Sequence, residues 1–154
     1  MARIVVTTTA FKDGSEIPAE FTCSGKNVSP SCEWSGVPDT AGSSAVIMDD
    51  PDAPSGLFTH WILFNIPPGK CRIESGIPKK QAFEDGSMHG TNSFGRAEYS
   101  GPCPPPGKPH RYFLKVYVLD SKLNLRAPVT RNAIDSAMKG HILAEGGIMG
   151  TFRR

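Results

Sequence analysis

The sequence predicts a mostly β protein, a sandwich of short strands accompanied by one or two short helices. Glycine and proline are plentiful, with 16 and 14 among the 154 residues, and they favour short strands and tight turns over long helices. Short runs rich in β-branched and aromatic residues recur between these turn residues. The run at residues 111–120 is mostly apolar on both faces, which is typical of a central strand covered on both sides.

The length fits a single domain spanning residues 1–154 around one hydrophobic core. A formal net charge of +2, without a block of lysine and arginine, argues against a nucleic-acid partner. No apolar run is long enough to span a membrane. Because the first residues also lack the apolar core of a signal peptide, the expected location is the cytoplasm.

Five strand candidates precede the central one. They are bounded by turn residues and lie at residues 4–9, 21–22, 33–34, 45–48 and 60–65. In the central strand, alternate side chains share a face. One face therefore carries Tyr112, Leu114, Val116 and Val118, and His110 is expected in the loop just before the strand.

One helix is predicted after the central strand. Pro128 and Thr130 give an entry signal, with Thr130 as the expected N-cap. Helical spacing then relates Ile134, Ala137, Met138, His141 and Ile142, and Gly140 indicates an end near that point. Residues 143–152 contain two adjacent glycines and are expected to form a last strand with a bulge.

The four cysteines are Cys23, Cys32, Cys71 and Cys103, and they allow three pairings among which the sequence does not choose. For a cytoplasmic protein, reduced and partly buried thiols are the favoured interpretation. No Cys-x-x-Cys motif or histidine–cysteine cluster has the spacing of a zinc site, so neither a metal nor another cofactor is expected.

The chemically suggestive residues begin with the sequence Asp-Pro-Asp-Ala-Pro at positions 50–54. Its two prolines make a stiff turn after a predicted strand. In one interpretation the carboxylates of Asp50 and Asp52 only satisfy turn amides. In the other, one carboxylate is held rigidly and orients an imidazole, whose charged form it favours.

Two of the four histidines lie in further short motifs. His60 opens an apolar strand, where a histidine is by default a hydrogen-bonded core or rim residue. His110 and Tyr112 are two positions apart in a strand and therefore point to the same face, away from Arg111. The loop at residues 101–107 is rigid and poor in donors, and it is either a structural crossover or a wall against a ligand. Acid, imidazoles and phenol at strand ends together predict a small anion pocket.

The ordered set of these motifs resembles the phosphatidylethanolamine-binding protein family, which includes the Raf kinase inhibitor protein. The resemblance runs from about residue 11 to residue 152. Further motifs similar to the short bacterial and archaeal branch lie at residues 21–23, 29–30, 34–38, 92–96, 140–145 and 149–152. The resemblance implies a sandwich in which a large antiparallel sheet packs on a smaller sheet, with an anion pocket at one end.

Residue by residue, the resemblance implies a ligand site formed by Asp50, His60, Gly101, Pro102, His110 and Tyr112. Asp52 belongs to the motif but is expected to be structural. The implied ligand is phosphate or a phosphoethanolamine-like headgroup, with both imidazoles, the Gly101 amide and the Tyr112 hydroxyl as donors. No catalytic residue is expected, because the resemblance implies a binding or regulatory protein rather than an enzyme.

The resemblance also implies a regulator or inhibitor that acts on a kinase, a serine protease or a phosphorylated protein, and it suggests a homodimer. The alternative is a hydrolase in which Asp50 and His60 or His110 form an acid–base pair and Cys103 is the nucleophile. The two remaining histidines need no function: His89 is expected to be solvated in a polar loop, and His141 lies at the predicted helix end.

Overall fold

The computed structural model describes residues 2–154, which form a sandwich of two sheets. The strands are β1 (Ala2–Arg3), β2 (Val5–Thr7), β3 (Cys32–Ser35), β4 (Ser43–Asp50), β5 (Phe58–Ile66), β6 (Arg72–Ile73), β7 (Met88–His89), β8 (His110–Leu119) and β9 (Ile142–Phe152). In the described residues these are joined by a single α-helix, α1 (Arg131–Met138), and by a 3-10 turn at Ala19–Phe21.

The larger sheet has six strands in the order β1-β9-β8-β4-β5-β7, and the smaller sheet has three in the order β2-β3-β6. Every neighbouring pair in both sheets is antiparallel except the edge pair of β1 and β9, which is parallel. The predicted mostly β sandwich of a large and a small sheet is therefore confirmed, with one parallel pair added at the edge of the large sheet.

The core has two layers because the large sheet is covered on both faces along β4 and β5. Between the sheets, the predicted inner face of β8 packs with Trp61, Trp34 and Met48. On the opposite face a second apolar cluster lies beneath α1, and it consists of Ala45, Ile47, Ile62, Phe64, Leu119, Leu123, Val129, Ile134 and Met138. The prediction that β8 is a central strand is confirmed, since it lies between β9 and β4.

The helix begins where the sequence predicts and ends earlier. The Oγ1 of Thr130 accepts a hydrogen bond from the Ala133 amide at 3.2 Å, so the predicted N-cap is confirmed. The helix stops at Met138, and His141 and Ile142 lie outside it. Gly140, with a φ of +82°, lies in the turn that leads into β9.

Two local predictions differ from the structure. Residues 21–22 are not a strand, because the amides of Phe21 and Thr22 donate within a turn to Pro18 and Ala19 at 3.1 and 3.0 Å. The irregularity in β9 lies opposite Val118 and Leu119 rather than at the adjacent glycines. Gly146 instead meets the chain before β2, since a Cβ there would lie 2.2 Å from the Ile4 carbonyl oxygen.

In the part of the chain that the structure describes, no helix has both the length and the apolar composition needed to cross a membrane.

Arg131 fastens α1 to the sheet at the end of β4. Its Nη1 donates to the carboxylate of Asp49, whose side chain is 3% exposed, and to Thr59 Oγ1 at 3.1 Å. Its Nε donates to the exposed Asp135 at 2.9 Å. The helix is thus held both by the apolar cluster beneath it and by one buried ion pair.

We expect Arg131→Ala to lower the free energy of unfolding by about 3 kcal/mol, because it leaves the Asp49 carboxylate buried without its partner. Urea unfolding followed by circular dichroism measures this. Asp135→Ala is the matched control, because it removes only the exposed partner and should cost less than about 1 kcal/mol. Equal losses in the two variants would contradict the assignment of the buried pair as the anchor.

Candidate functional site

A cavity of about 250 Å³ opens at the end of the sandwich where β4 ends and where β5 and β8 begin. Its lining consists of Asp50, Ala53, Pro54, Ser55, Phe58, His60, Phe94, Cys103, Pro104, Pro105, His110 and Tyr112. Larger concavities of about 550 and 380 Å³ lie over β8 and β9 and between β6 and β7, but no histidine lines either of them. The chemistry of the lining therefore singles out the smaller cavity.

Strand pairing brings three distant segments to this cavity. β4 lies between β5 and β8 and is antiparallel to both, so its carboxyl end meets the amino ends of its two neighbours. Asp50 is paired with Phe58, and Asp49 is paired with Phe113. The first residues of β5 and β8 consequently lie beside the turn that follows Asp50.

A β-bulge places His60. Along β4 and β5, Met48 pairs with Trp61 and Asp49 pairs with Thr59, which leaves His60 as the extra residue. Strict alternation would put His60 on the face of Ile62, which packs beneath α1. The ring of His60 instead lies 5.3 Å from that of Tyr112, on the cavity side.

Asp50 fulfils both roles that the sequence left open. Its Oδ1 accepts a hydrogen bond from the Asp52 amide at 2.7 Å, and its Oδ2 accepts one from His110 Nδ1 at 2.7 Å. The side chains of Asp50 and His110 are only 4% and 13% exposed. Because Nδ1 of His110 is occupied by the carboxylate, Nε2 is the ring nitrogen left for a ligand.

His60 is arranged differently from His110. Its ring is buried, and Nδ1 lies 2.7 Å from the carbonyl oxygen of Ser100. A carbonyl only accepts, so Nδ1 carries the proton. Burial lowers the pKa of His60 and favours the neutral ring, in which Nε2 is an acceptor. The two imidazoles therefore differ in their Nδ1 partners, which are a carboxylate for His110 and a backbone carbonyl for His60, and their expected contacts with a ligand stay a prediction.

Tyr112 supplies a phenol to the same lining. Its side chain is buried, and within residues 2–154 its hydroxyl makes no hydrogen bond of ordinary geometry, although it lies close to the Asp50 carboxylate. Burial, together with the negative charge of Asp50, raises the pKa of Tyr112, so the hydroxyl stays protonated and available as a donor.

Gly101 and Pro102 support the site but do not line the cavity. The Gly101 amide donates to Asn27 Oδ1 at 2.7 Å, and the Pro102 carbonyl accepts from the Cys23 amide at 3.0 Å. A Cβ at position 101 would lie 2.2 Å from the Phe21 carbonyl oxygen. The Gly101 amide is thus not free to donate to a ligand, and the glycine is needed for close backbone packing.

Asp52 holds the turn to β8. Its carboxylate accepts from the backbone amide, Nε and Nη2 of Arg111, each at 2.9 Å. Hydrogen bonds from the Arg111 side chain lower the pKa of Asp52 to about 2. The arrangement agrees with the structural role expected for Asp52 and with the outward direction of Arg111.

An apolar wall accompanies the polar groups. Phe58 lies 5.0 Å from His60 and 4.8 Å from Phe94, measured between ring centroids, and Phe94 is 45% exposed. Neither phenylalanine was predicted from the sequence to belong to the site. The position of Phe58 in the site could have been predicted from the sequence, because residues two positions apart in a strand share a face and Phe58 lies two positions before His60.

The cysteine prediction is wrong for one pair. Cys23 and Cys103 form a disulfide across 80 residues, and the sulfur of Cys103 is therefore not a free nucleophile. Cys32 and Cys71 remain free thiols. Burial raises the pKa of Cys32 to about 12, which leaves its thiol protonated and unreactive.

The predicted solvation of His89 is also wrong. The residue is buried in β7, its Nε2 accepts from Trp61 Nε1 at 3.0 Å, and its Nδ1 donates to the Lys80 carbonyl at 2.7 Å. Burial lowers the pKa of His89. His141 is exposed and contacts Asp120 at 2.8 Å.

Within residues 2–154, no group of three or more histidine, cysteine, aspartate or glutamate side chains is arranged to hold a metal ion.

Comparison with known proteins agrees with this fold. The family model described as phosphatidylethanolamine-binding protein matches residues 7–153. A UPF0098 protein of Methanothermobacter thermautotrophicus is 46% identical over 147 residues, which are 96% of this chain and 97% of the relative. A UPF0098 protein of Aquifex aeolicus is 44% identical over 147 residues, which are 94% of this chain and 85% of the relative.

Two crystal structures are similar over almost the whole chain. A candidate phosphatidylethanolamine-binding protein homologue from Chlamydia trachomatis matches with a TM-score of 0.89 and 35% identity, over 100% of this chain and 99% of its own. E. coli YbcL, described as a member of the mammalian family, matches with a TM-score of 0.90 and 30% identity over 99% of each chain. The family resemblance and the fold predicted from the sequence are both confirmed.

We expect stability to fall as the pH drops below about 6.5, the ordinary pKa of histidine, because burial lowers the pKa of His60 and His89 in the folded state. The unfolded chain then binds protons that the folded chain does not, and each histidine lowers the free energy of unfolding by up to about 1.4 kcal/mol per pH unit. Urea unfolding between mildly alkaline and mildly acidic pH measures the slope.

His89→Gln should flatten this decline, since one of the two buried rings is gone. His141→Gln removes an exposed histidine and should not flatten it. A decline of the same steepness in wild type and His89→Gln would refute the assignment of His89 as a buried neutral ring.

Proposed function

The chain belongs to the phosphatidylethanolamine-binding protein family, and on that premise we propose that its cavity binds the monoanion of a phosphate group. This group occurs as inorganic phosphate, in a headgroup such as phosphoethanolamine and on a phosphorylated protein. The observation that carries this proposal is the unequal pair of imidazoles, with His110 tied to Asp50 and His60 tied to the Ser100 carbonyl.

The two rings offer complementary contacts. An Nε2–H of His110 donates to an anionic phosphate oxygen, while Asp50 orients the ring through Nδ1. Neutral His60 offers Nε2 as an acceptor, which suits a P–OH group. The unpaired hydroxyl of Tyr112 can donate to a further oxygen. A phosphate monoester has its second pKa near ~6, so its singly protonated form carries both an acidic proton and anionic oxygens.

Phosphate should bind more tightly than sulfate at mildly acidic pH, because sulfate lacks the proton that His60 Nε2 would accept. Leaving that buried acceptor unpaired should weaken sulfate binding by about tenfold or more. Isothermal titration with inorganic phosphate and inorganic sulfate measures the ratio. Equal affinity for the two anions would exclude an acceptor role for His60.

His110→Ala tests the donating ring in the same titrations and should weaken phosphate binding by at least about tenfold. His141→Ala is its matched control, because His141 also contacts an aspartate but does not line the cavity. Unchanged phosphate affinity in His110→Ala would remove the basis of the proposed anion contact.

The rim of the cavity favours a phosphate carried by a protein. Among residues 2–154, the exposed large hydrophobic residues are Val5, Leu57 and Phe94. Phe94 lines this cavity, and Leu57 adjoins the lining residue Phe58. Exposed apolar residues beside a specific polar cavity are typical of a contact surface. We therefore propose that a phosphorylated segment of a protein, such as a kinase or a serine protease, presents the phosphate, which corresponds to the regulatory role implied by the family.

Phe94→Ala should weaken binding of a phosphoserine peptide while leaving the affinity for inorganic phosphate within about twofold, because a single phosphate does not need the apolar rim. Fluorescence anisotropy with the phosphorylated peptide, and with the same peptide unphosphorylated, measures this difference. Val5→Ala, at the exposed residue outside this lining, is the control. If Phe94→Ala weakened the binding of inorganic phosphate as much as that of the phosphoserine peptide, Phe94 would act on the phosphate site itself, and the proposed role of the rim in binding a protein segment would be contradicted.

The hydrolase alternative gains no support from the geometry. The nucleophile that the sequence offered, Cys103, is bound in a disulfide. Asp50 and His110 form a hydrogen-bonded pair, but that pair serves anion binding equally well.

A further inference from the structure

One wall of the cavity is fastened by a covalent bond. Cys103, Pro104 and Pro105 form this wall, and Cys103 is joined to Cys23 in the segment that follows the 3-10 turn. The two cysteines are 80 residues apart, so the bond connects the wall to a distant part of the chain. Any change in this bond acts directly on the lining of the cavity.

The wall has few other means of attachment because of its composition. Residues 102–106 read Pro-Cys-Pro-Pro-Pro, so the Cys103 amide is the only backbone donor in the stretch. Within residues 2–154 that amide makes no hydrogen bond, and the carbonyl of Pro104 accepts one from Arg154 Nε at 2.6 Å. Residues 103–106 are therefore attached to the rest of the protein by the disulfide, by this one hydrogen bond and by apolar packing.

The chain on either side of the wall is held independently of the disulfide. Before it, the Gly101 amide donates to Asn27, and the Tyr99 hydroxyl donates to the Phe21 carbonyl at 2.6 Å. After it, the Gly107 amide donates to the Arg154 carbonyl at 3.3 Å, and β8 begins at His110. Loss of the disulfide would consequently loosen the wall without removing the supports of the strands.

This disulfide is also within reach of a reductant. Cys23 and Cys103 are both partly exposed, and Cys103 borders the open cavity. Cys32 is fully buried by contrast, so a thiolate in solvent cannot approach it. The pair beside the ligand site is thus accessible for thiol–disulfide exchange.

We propose that the Cys23–Cys103 disulfide is a redox-active site that controls the affinity of the cavity for its ligand, and that it reacts with small-molecule or protein dithiols. This inference rests on the phosphate binding proposed above. A thiolate of the dithiol attacks one sulfur of the disulfide, forms a mixed disulfide and releases the other cysteine as a thiolate, which takes up a proton. The second thiol of the reductant then attacks the mixed disulfide and releases the remaining cysteine. The protein gains two electrons and two protons, and the dithiol becomes a disulfide.

Reduction weakens ligand binding because the released wall must be ordered again when the ligand enters. Couplings of this kind typically change an affinity by about 5- to 150-fold. By thermodynamic linkage, bound ligand makes the disulfide harder to reduce by the same factor. Redox state and occupancy of the cavity therefore control one another.

The first measurement needs no ligand. Amide hydrogen exchange is compared in the oxidised protein and in the protein reduced with dithiothreitol. Exchange should accelerate at the Cys23 amide, which donates to the Pro102 carbonyl beside the wall, while β8 stays protected, which also shows that the reduced protein remains folded. Unchanged exchange at the Cys23 amide would overturn the inference, because the chain beside the wall would then not depend on the bond.

The second measurement is a titration with inorganic phosphate of the oxidised and the reduced wild type. We expect the reduced protein to bind about 5- to 150-fold more weakly. The Cys23→Ser/Cys103→Ser variant should bind like the reduced protein whether or not dithiothreitol is present. Cys71→Ser is the matched control and should keep the full response, because Cys71 is a free thiol.

The outcomes separate this inference from the proposed function. Equal phosphate affinity in the oxidised and reduced proteins overturns redox control but leaves the phosphate site intact. Absence of phosphate binding in the oxidised protein overturns the proposed function, and redox control of phosphate affinity falls with it. A redox response that persists in the double serine variant assigns the effect to another thiol and also overturns the inference.

Discussion

The position of β4 between two antiparallel neighbours is the constraint on which the site depends. That pairing brings the turn at residues 50–54 beside the starts of β5 and β8, although these segments are far apart in the chain. The bulge at His60 then turns one imidazole out of the regular alternation and toward the cavity. Without the bulge, the polar groups of the cavity would be only the carboxylate of Asp50, the imidazole of His110 and the phenol of Tyr112.

The two imidazoles differ because their Nδ1 atoms contact different acceptors. His110 donates to an ionised carboxylate, and His60 donates to a neutral carbonyl in a buried setting. Desolvation of the His60 ring disfavours its charged form and outweighs the opposing effect of the nearby Asp50 and Asp49 charges, so the pKa of His60 is lowered. The site therefore offers a ligand both hydrogen-bond donors and a hydrogen-bond acceptor. Attraction of a negative charge is only one part of the binding that this arrangement allows.

Features with a local signal were predictable from the sequence. The alternation in residues 111–120 predicts β8, and Thr130 predicts the start of α1. Features that depend on tertiary contacts were not. β7 has two residues and no periodicity, so nothing local indicates that His89 is buried against Trp61. The pairing of Cys23 with Cys103 likewise depends on the loop packing that supports Gly101 and Pro102.

The close packing of Gly101 has a consequence for how relatives are recognised. A side chain at this position would collide with the Phe21 carbonyl oxygen, so glycine is required by the backbone whatever occupies the cavity. The Gly-Pro pair is thus a marker of how this loop is built, and proteins that share it need not share a ligand. Grouping relatives by what they recognise calls for the cavity-lining positions instead, above all those equivalent to His60, Phe94 and Cys103.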